Sequence, residues 1–424
     1  VWLVEHHDVP IVQISLVVPK GTGDDPPGQF GIASLTASML VEGGGSRSAS
    51  DIAEAVDRLK GNLAPAAGVD ALSLQLHVTA DGIVEALPIL ADVFERPTFP
   101  ADAIERVKRE RLSTLRQARD DPDAIGSLAF SKVVYGSAHR YGTALIGAAE
   151  TIARFTREDL RAFHAATYRP ETTTLIAAGD IVPGEMLKLL ELNFGGWRPP
   201  AGPPQDARPI PVPQASPRRV VIVDKPGAPQ TRIYVGGVGA PRVTPDFFAL
   251  QVMSALLRAR LTSRLGNAAA GVRAGFDMRK AAGPFVASAA VRVDSTADAL
   301  AEFDSALAGM QQAPGGDELA RARDDVALRL PTFESTGRIT ARLQLLESLL
   351  VYGLADNYYS TYVQAVRTVG AEEVARAAAA YLRPDRLSIV IVGDERAIGP
   401  GIRAMKLGPV TTMAVDEVFA PPIP

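Results

Sequence analysis

Cysteine is absent from all 424 residues. Disulfides, thiolate metal sites and cysteine nucleophiles are therefore excluded, although cytoplasm and periplasm are not told apart by this. Histidine is scarce: His6, His7, His77, His139 and His164 are the whole set, and no two stand four apart. Adjacent His6 and His7 would face opposite sides of a strand and cannot share a metal. No apolar run reaches the ~18 residues of a membrane helix, so no transmembrane segment is expected. Basic tracts are missing as well. Lys and Arg number 44 against 48 Asp and Glu, for a net charge of −4, and no nucleic-acid surface is expected. No G-x-S-x-G elbow occurs to present a serine nucleophile. The run Gly43-Gly44-Gly45 lacks the Lys-Ser/Thr of a phosphate loop and ends a helix instead of starting one.

What is present is ordinary globular material. Hydrophobic residues make up 47% and charged residues 22%, enough for a large core. The opening Val1-Trp2-Leu3-Val4 reads as a strand with no polar lead-in and no signal peptide. The expectation is a truncated N-terminus, with an export signal among the segments that could precede it.

The two halves echo each other. Tyr168-Arg169-Pro170, a strand at Thr173–Ala178 and Gly179-Asp180 close the first half. Tyr381-Leu382-Arg383-Pro384, a strand at Leu387–Val392 and Gly393-Asp394 close the second. Each set follows a helix with an acidic start, Thr156–Ala166 and Ala371–Ala380. The fronts match more loosely: strands at Ile11–Val18 and Thr231–Val238 precede helices at about 30–41 and 246–257. Eight prolines between Pro199 and Pro217 predict an extended linker. The expected division is a first domain at 1–198, a Pro-rich linker at 199–218 and a second domain at 219–424. Strands such as Leu72–Val78 and Phe285–Val293 are flanked by turns, not crossovers. The expected class is α+β, two homologous domains, each a mostly antiparallel sheet packed with helices.

The segment Gly31–Gly45 reads G-I-A-S-L-T-A-S-M-L-V-E-G-G-G. Ile32, Leu35, Met39 and Leu40 mark the buried face of a helix, and Ser34 and Ser38 share another face one turn apart. Two histidines at that spacing, with a glutamate between, could grip a zinc ion and activate water. Here the positions hold Ser34, Ala37 and Ser38.

These features together resemble the insulinase/pitrilysin-type zinc metallopeptidases, in particular small bacterial two-domain subunits. The resemblance rests on Gly31-Ile32-Ala33, Met39-Leu40, the Gly43–Gly45 turn, Phe194-Gly195-Gly196-Trp197, the two Tyr-Arg-Pro units and Ser263-Arg264-Leu265. Active members carry H-x-x-E-H, and a further glutamate about 76 residues on completes the zinc site. The resemblance places the histidines at Ser34 and Ser38, the general base at Ala37 and the distant ligand at Thr114. All four positions are substituted, so no catalytic residue and no metal ligand are assigned to this chain. No cofactor is expected in it; zinc is expected in a partner.

The resemblance implies a non-catalytic subunit of a heterodimeric zinc metallopeptidase, inactive alone and paired with a homologous zinc-bearing subunit around a peptide substrate. The compartment it implies is bacterial, periplasmic or cytoplasmic. In many such partners an arginine, followed about seven residues later by a tyrosine, steadies the substrate and its developing charge. Here Gly266–Gly271 follows Ser263-Arg264-Leu265, the segment is short, and neither Arg264 nor Arg273 has its tyrosine. Arg264 and Arg273 remain the candidate substrate contacts there. Leu72, Leu74 and Leu76 are candidates on a strand expected at a sheet edge, where an extended peptide could add. A peptidase-derived structural or assembly subunit, and a peptide-binding module without cleavage, are the alternatives.

Overall fold

The computed structural model describes residues 1–199, 210–211, 217–330 and 339–421. Most of the expected linker at 199–218 therefore lies outside the described residues.

The first sheet is built from β1 (Trp2–Glu5), β2 (Ile11–Val18), β3 (Asn62–Ala67), β4 (Leu72–Thr79) and β5 (Thr174–Gly179). Its order is β1-β5-β2-β4-β3. The β1–β5 pair is parallel and the other pairs are antiparallel. The second sheet contains β6 (Val220–Asp224), β7 (Gln230–Val238), β8 (Ala269–Phe276), β9 (Pro284–Arg292), β10 (Ser388–Gly393) and β11 (Val410–Ala414). Its order is β8-β9-β7-β10-β6-β11. Here β10–β6 and β6–β11 are parallel and the rest antiparallel. The class is α+β with mixed sheets, in which antiparallel pairs outnumber parallel ones. Without β11, the second sheet repeats the strand order of the first.

The period-2 alternation along each strand decides what covers each face. Ile14 and Leu16 of β2, with Leu72, Leu74, Leu76 and Val78 of β4, join the core beneath helix α1 (Ile32–Met39). Val17, Ile176 and Ala178 face the other way and pack with Leu343. In the second sheet, Ile233, Val235, Phe285, Ala287, Ile389 and Ile391 enter a large helical core. Val390 and Val392 of its other face pack with Ile125, Ala129, Phe130 and Val133.

Those covering residues come from unexpected stretches of chain. Two compact units emerge: one takes Val1–Ser113, Ala144–Ile210 and Pro331–Leu354, the other Thr114–Thr143, Pro211–Leu330 and Ala355–Pro424. The units are not contiguous in sequence, and their limits do not coincide with a division at 198 and 219. Helix α2 (Ala101–Ala118) runs across one limit. Helix α3 (Pro122–Tyr135) belongs to the second unit. Helix α4 (Phe247–Leu265) is also in the second unit, and helix α5 (Ile339–Tyr352) is in the first.

Local chemistry explains where the helices begin. Thr156 and Asp159 form a reciprocal capping box at the acidic helix start seen in the sequence. Asp121 caps α3 through the Asp123 amide at 2.9 Å, with Pro122 in its first turn. Helix α4 runs eight residues beyond its expected end near 257. Apolar Leu261 and Leu265 continue its buried face.

Candidate functional site

Helix α1 starts at a residue that only glycine accommodates well. Gly31 has φ 102°, and a Cβ there would lie 2.5 Å from the Ile146 carbonyl oxygen. Its amide donates to Asp25 Oδ2 at 2.7 Å, and the Ala33 amide donates to Oδ1 at 3.1 Å. A buried carboxylate thus satisfies two of the amide donors that every helix start leaves open, and the helix dipole favours its charge. At the far end, Gly44 presses onto the backbone of helix Ile83–Glu95, where a Cβ would meet Val93 Cα at 2.7 Å. The glycines that mark this segment in the sequence hold α1 in place.

Ile32, Leu35, Met39 and Leu40 are fully buried, as their spacing predicts. Ser34 and Ser38 are indeed one turn apart on one face. What joins them is Arg111, from α2. Its Nη1 donates to Ser34 Oγ at 3.0 Å. Its Nη2 donates to the Ser34 carbonyl at 2.7 Å and to Ser38 Oγ at 2.8 Å. Ser38 Oγ itself donates to the Ser34 carbonyl at 3.1 Å.

Arg111 is 8% exposed. Burial lowers its pKa to about 10, opposed by the charge of Asp25, which leaves it a cation at neutral pH. A protein cation therefore sits on the helix face that carries Ser34 and Ser38, the positions the resemblance gives to metal ligands. Ser34, Ala37 and Ser38 offer neutral oxygens and a methyl group, and a guanidinium beside them repels a divalent ion. These residues do not fit zinc. Among the described residues, no group of three or more His, Asp and Glu side chains could hold a metal ion. Thr114 lies one turn beyond Arg111 on the same helix and is exposed.

Reading the sequence at ligand positions alone misses Arg111.

The histidines are placed structurally. His77 bonds Gln13 across β4 and β2 at 3.0 Å. His164 stacks on Tyr168 with ring centroids 4.7 Å apart and bonds the Phe94 carbonyl at 2.8 Å. Burial pushes His164 down to about 4, against the opposing effect of the Phe94 bond.

The expected peptide edge needs correction. Strand β4 is paired on both sides, to β2 and to β3, so it is interior. Leu72, Leu74 and Leu76 are 1%, 0% and 2% exposed and lie in the core under α1. Their apolar alternation reported burial, not a free edge. The edge strand on that side is β3, and its Pro65 has no N–H to donate to an added strand.

In the second unit, Arg264 bonds Glu302 at 3.1 Å and Ser305 at 2.9 Å. Arg273 sits on β8, well apart in role: it lines a cavity. The turn Gly266–Ala268 leads from α4 directly into β8.

Two mixed sheets packed by helices, with a buried arginine bonded to two serines of the helix on the first, are what the structure shows. Comparison with known proteins gives the family. Residues 1–137 match the insulinase (peptidase family M16) profile, and residues 154–326 match the peptidase M16 inactive domain. The chain belongs to the insulinase, or M16, family. It is 28% identical over 257 residues to an uncharacterized zinc protease of Mycobacterium leprae, a match covering 59% of this chain and 56% of that protein. The chain thus spans little more than half the length of such curated relatives. A Helicobacter pylori protein named non-peptidase homolog YmxG is 26% identical over 192 residues, covering 45% of this chain and 44% of its own. The crystal structure of a peptidase M16 inactive domain from Pseudomonas fluorescens superposes with a TM-score of 0.84 at 25% identity, covering 92% of this chain and 95% of that one. Among the described residues, no helix is long and apolar enough to cross a membrane.

Proposed function

We propose that this chain is the non-catalytic member of a heteromeric zinc metallopeptidase. A homologous subunit with H-x-x-E-H holds the zinc, and this chain completes the chamber around a peptide substrate. The observation that carries the reading is the Arg111 guanidinium seated on Ser34 and Ser38, in place of a metal. The inactive-domain match and the likeness to a non-peptidase homolog support it. The shared strand order of the two sheets supports two duplicated domains, the first over about 1–198 and the second over about 219–424. The compartment is bacterial, periplasmic or cytoplasmic.

The test combines metal analysis with capture. The purified chain is expected to carry no stoichiometric zinc and to cleave no peptide. Capture from the native organism should recover an H-x-x-E-H homologue, and mixing the two should restore chelator-sensitive cleavage. One tightly held zinc per chain, lost together with activity on chelation, would overturn the reading.

A second reading is a structural or assembly subunit derived from a peptidase. The turn Gly266–Ala268 favours it, because it leaves no room for an arginine–tyrosine pair before β8. Recovery of membrane redox subunits, with no zinc-bearing homologue, would support this second reading.

A further inference from the structure

Within the second unit, α4 packs against helix Gly316–Arg329, and a cavity of about 530 Å³ lies between them. Its shape follows from residue size. Ala255 and Ala259 of α4 and Ala322 of the other helix line it. Their methyl groups leave a groove that longer side chains would close. Charged side chains rise on both sides.

Those charges form a ladder with one acid missing. Arg258 Nη2 donates to Asp325 Oδ2 at 2.6 Å. Arg260 grips Glu318 with a fork, Nε to Oε1 at 2.6 Å and Nη2 to Oε2 at 2.8 Å. The arginines come from α4 and the acids from its neighbour, so each pair ties the two helices together. Between the pairs the pattern fails. Arg321 follows Glu318 by three residues and precedes Asp325 by four, which puts all three on one side of their helix. On α4, the residue between Arg258 and Arg260 is Ala259. The middle of the ladder therefore has a cation and no carboxylate.

Nothing lining the groove supplies that acid. Arg321 is exposed and makes no hydrogen bond or ion pair with any described residue. Asp317 and Asp324 of its own helix do not line the cavity. Both oxygens of Glu318 are taken by Arg260. The hydrogen bond from Arg260, with the charges of Arg260 and Arg321, holds that carboxyl below its usual range against the opposing effect of burial. Arg264, further along α4, is committed to Glu302 and Ser305. Of the four guanidinium groups lining the cavity, three are matched by Asp325, Glu318 and Glu302, and Arg321 is left over.

A compact oxyanion suits this position. A tetrahedral phosphate accepts forked, charge-assisted bonds from a guanidinium. The Arg258 nitrogens that Asp325 does not take, and the hydroxyl of exposed Ser263, line the same cavity. Glu318 and Asp325 stand one turn to either side of Arg321, so a longer polyanion would meet an acid. One charged group is the limit.

We propose that this groove binds a single phosphate group, free or as a monoester, with Arg321 as its principal contact and Arg258 and Ser263 as flanking donors. The site goes beyond the subunit reading and does not depend on it, because the chain alone should bind the anion.

Isothermal titration of the full chain in chloride buffer tests it, with inorganic phosphate and glycerol 3-phosphate as the probes. Saturable binding at a single site is expected, and it should weaken as salt rises. Arg321→Gln should weaken it at least about tenfold without shifting the thermal midpoint. Ala259→Glu supplies the missing acid, so it should abolish anion binding and raise the midpoint. Ala259→Gln adds the same bulk without the charge and should lose less binding. Tighter binding of glycerol 3-phosphate would assign an ester, and tighter binding of inorganic phosphate the free ion; either supports the site. No saturable binding at millimolar concentration, undiminished binding in Arg321→Gln, or equal loss in both Ala259 variants would overturn the proposal.

Discussion

The two sheets share a strand order yet use arginine in opposite ways. In the first unit, Arg111 is buried and directs its donors inward to the serines of α1. In the second, Arg273 stands exposed beside a cavity with no partner among the described residues. One cation is spent on holding a helix, and the other points to solvent. Conserving strand order evidently does not conserve the use of a face. The covering helices differ likewise. Glu347 of α5 accepts bonds from Ser15 Oγ at 2.5 Å and Gln75 Nε2 at 3.1 Å, and its burial raises its pKa. Asp123 of α3 makes its bonds at an exposed rim.

The largest expected effect comes from removing the buried cation. Arg111→Leu should cost roughly 3 kcal/mol in denaturant unfolding, because Asp25 and two serines lose their charged neighbour. Arg111→Lys should recover only part of that, since an ammonium cannot fork. Metal analysis sharpens the point. Ser34→His, Ala37→Glu, Ser38→His and Thr114→Glu together should still fail to hold zinc while Arg111 remains. Adding Arg111→Leu should permit binding. Zinc uptake with Arg111 intact would break the contrast.

A smaller effect follows from pH. Folded His164 protonates near 4, whereas the unfolded chain binds that proton near 6.5. Its neutral burial therefore favours the fold above pH 6.5, and this advantage is lost as pH falls through 4. Unfolding titrations of His164→Gln should lack about 3 kcal/mol of that acid loss. Glu95 works in the opposite direction. Burial, opposed by the nearby Arg96, raises its carboxyl to about 7, so stability falls as pH rises from 4.5 through 7. Glu95→Gln should flatten that alkaline limb. An unchanged profile in either variant would contradict the burial seen here.

The helix pair gives the smallest difference. Glu347→Ala should cost about 1–2 kcal/mol, by leaving part-buried Ser15 and Gln75 without their acceptor. Asp123→Ala should cost less than about 1 kcal/mol, because exposed ion pairs contribute little. Equal losses would show that the two helices are anchored alike.

Much of this was legible beforehand. The strand at Ile11–Val18 and the helix starts at Thr156 and Ala371 follow from alternation, capping residues and proline breakers, which act over a few residues. Ser34, Ala37, Ser38 and Thr114 are read locally too, at the positions the resemblance gives to the ligands and base. Leu72, Leu74 and Leu76 were misplaced for an equally physical reason. Alternation reveals that one face is buried, but not whether one or two strands flank the edges. Arg111 was missed because nothing local distinguishes a buried arginine from its solvated neighbours Arg109 and Arg116.

The sequence by itself determined many of the elements and the family resemblance, since these depend on residue identity and short spacing. Only the tertiary structure decided that α3 and α5 cover sheets far from them in sequence, and that Arg111 bonds Ser34 and Ser38. It alone placed Arg321 and Ala259 in one groove. Each of these depends on contacts across tens to hundreds of residues, where chain spacing carries no information about distance.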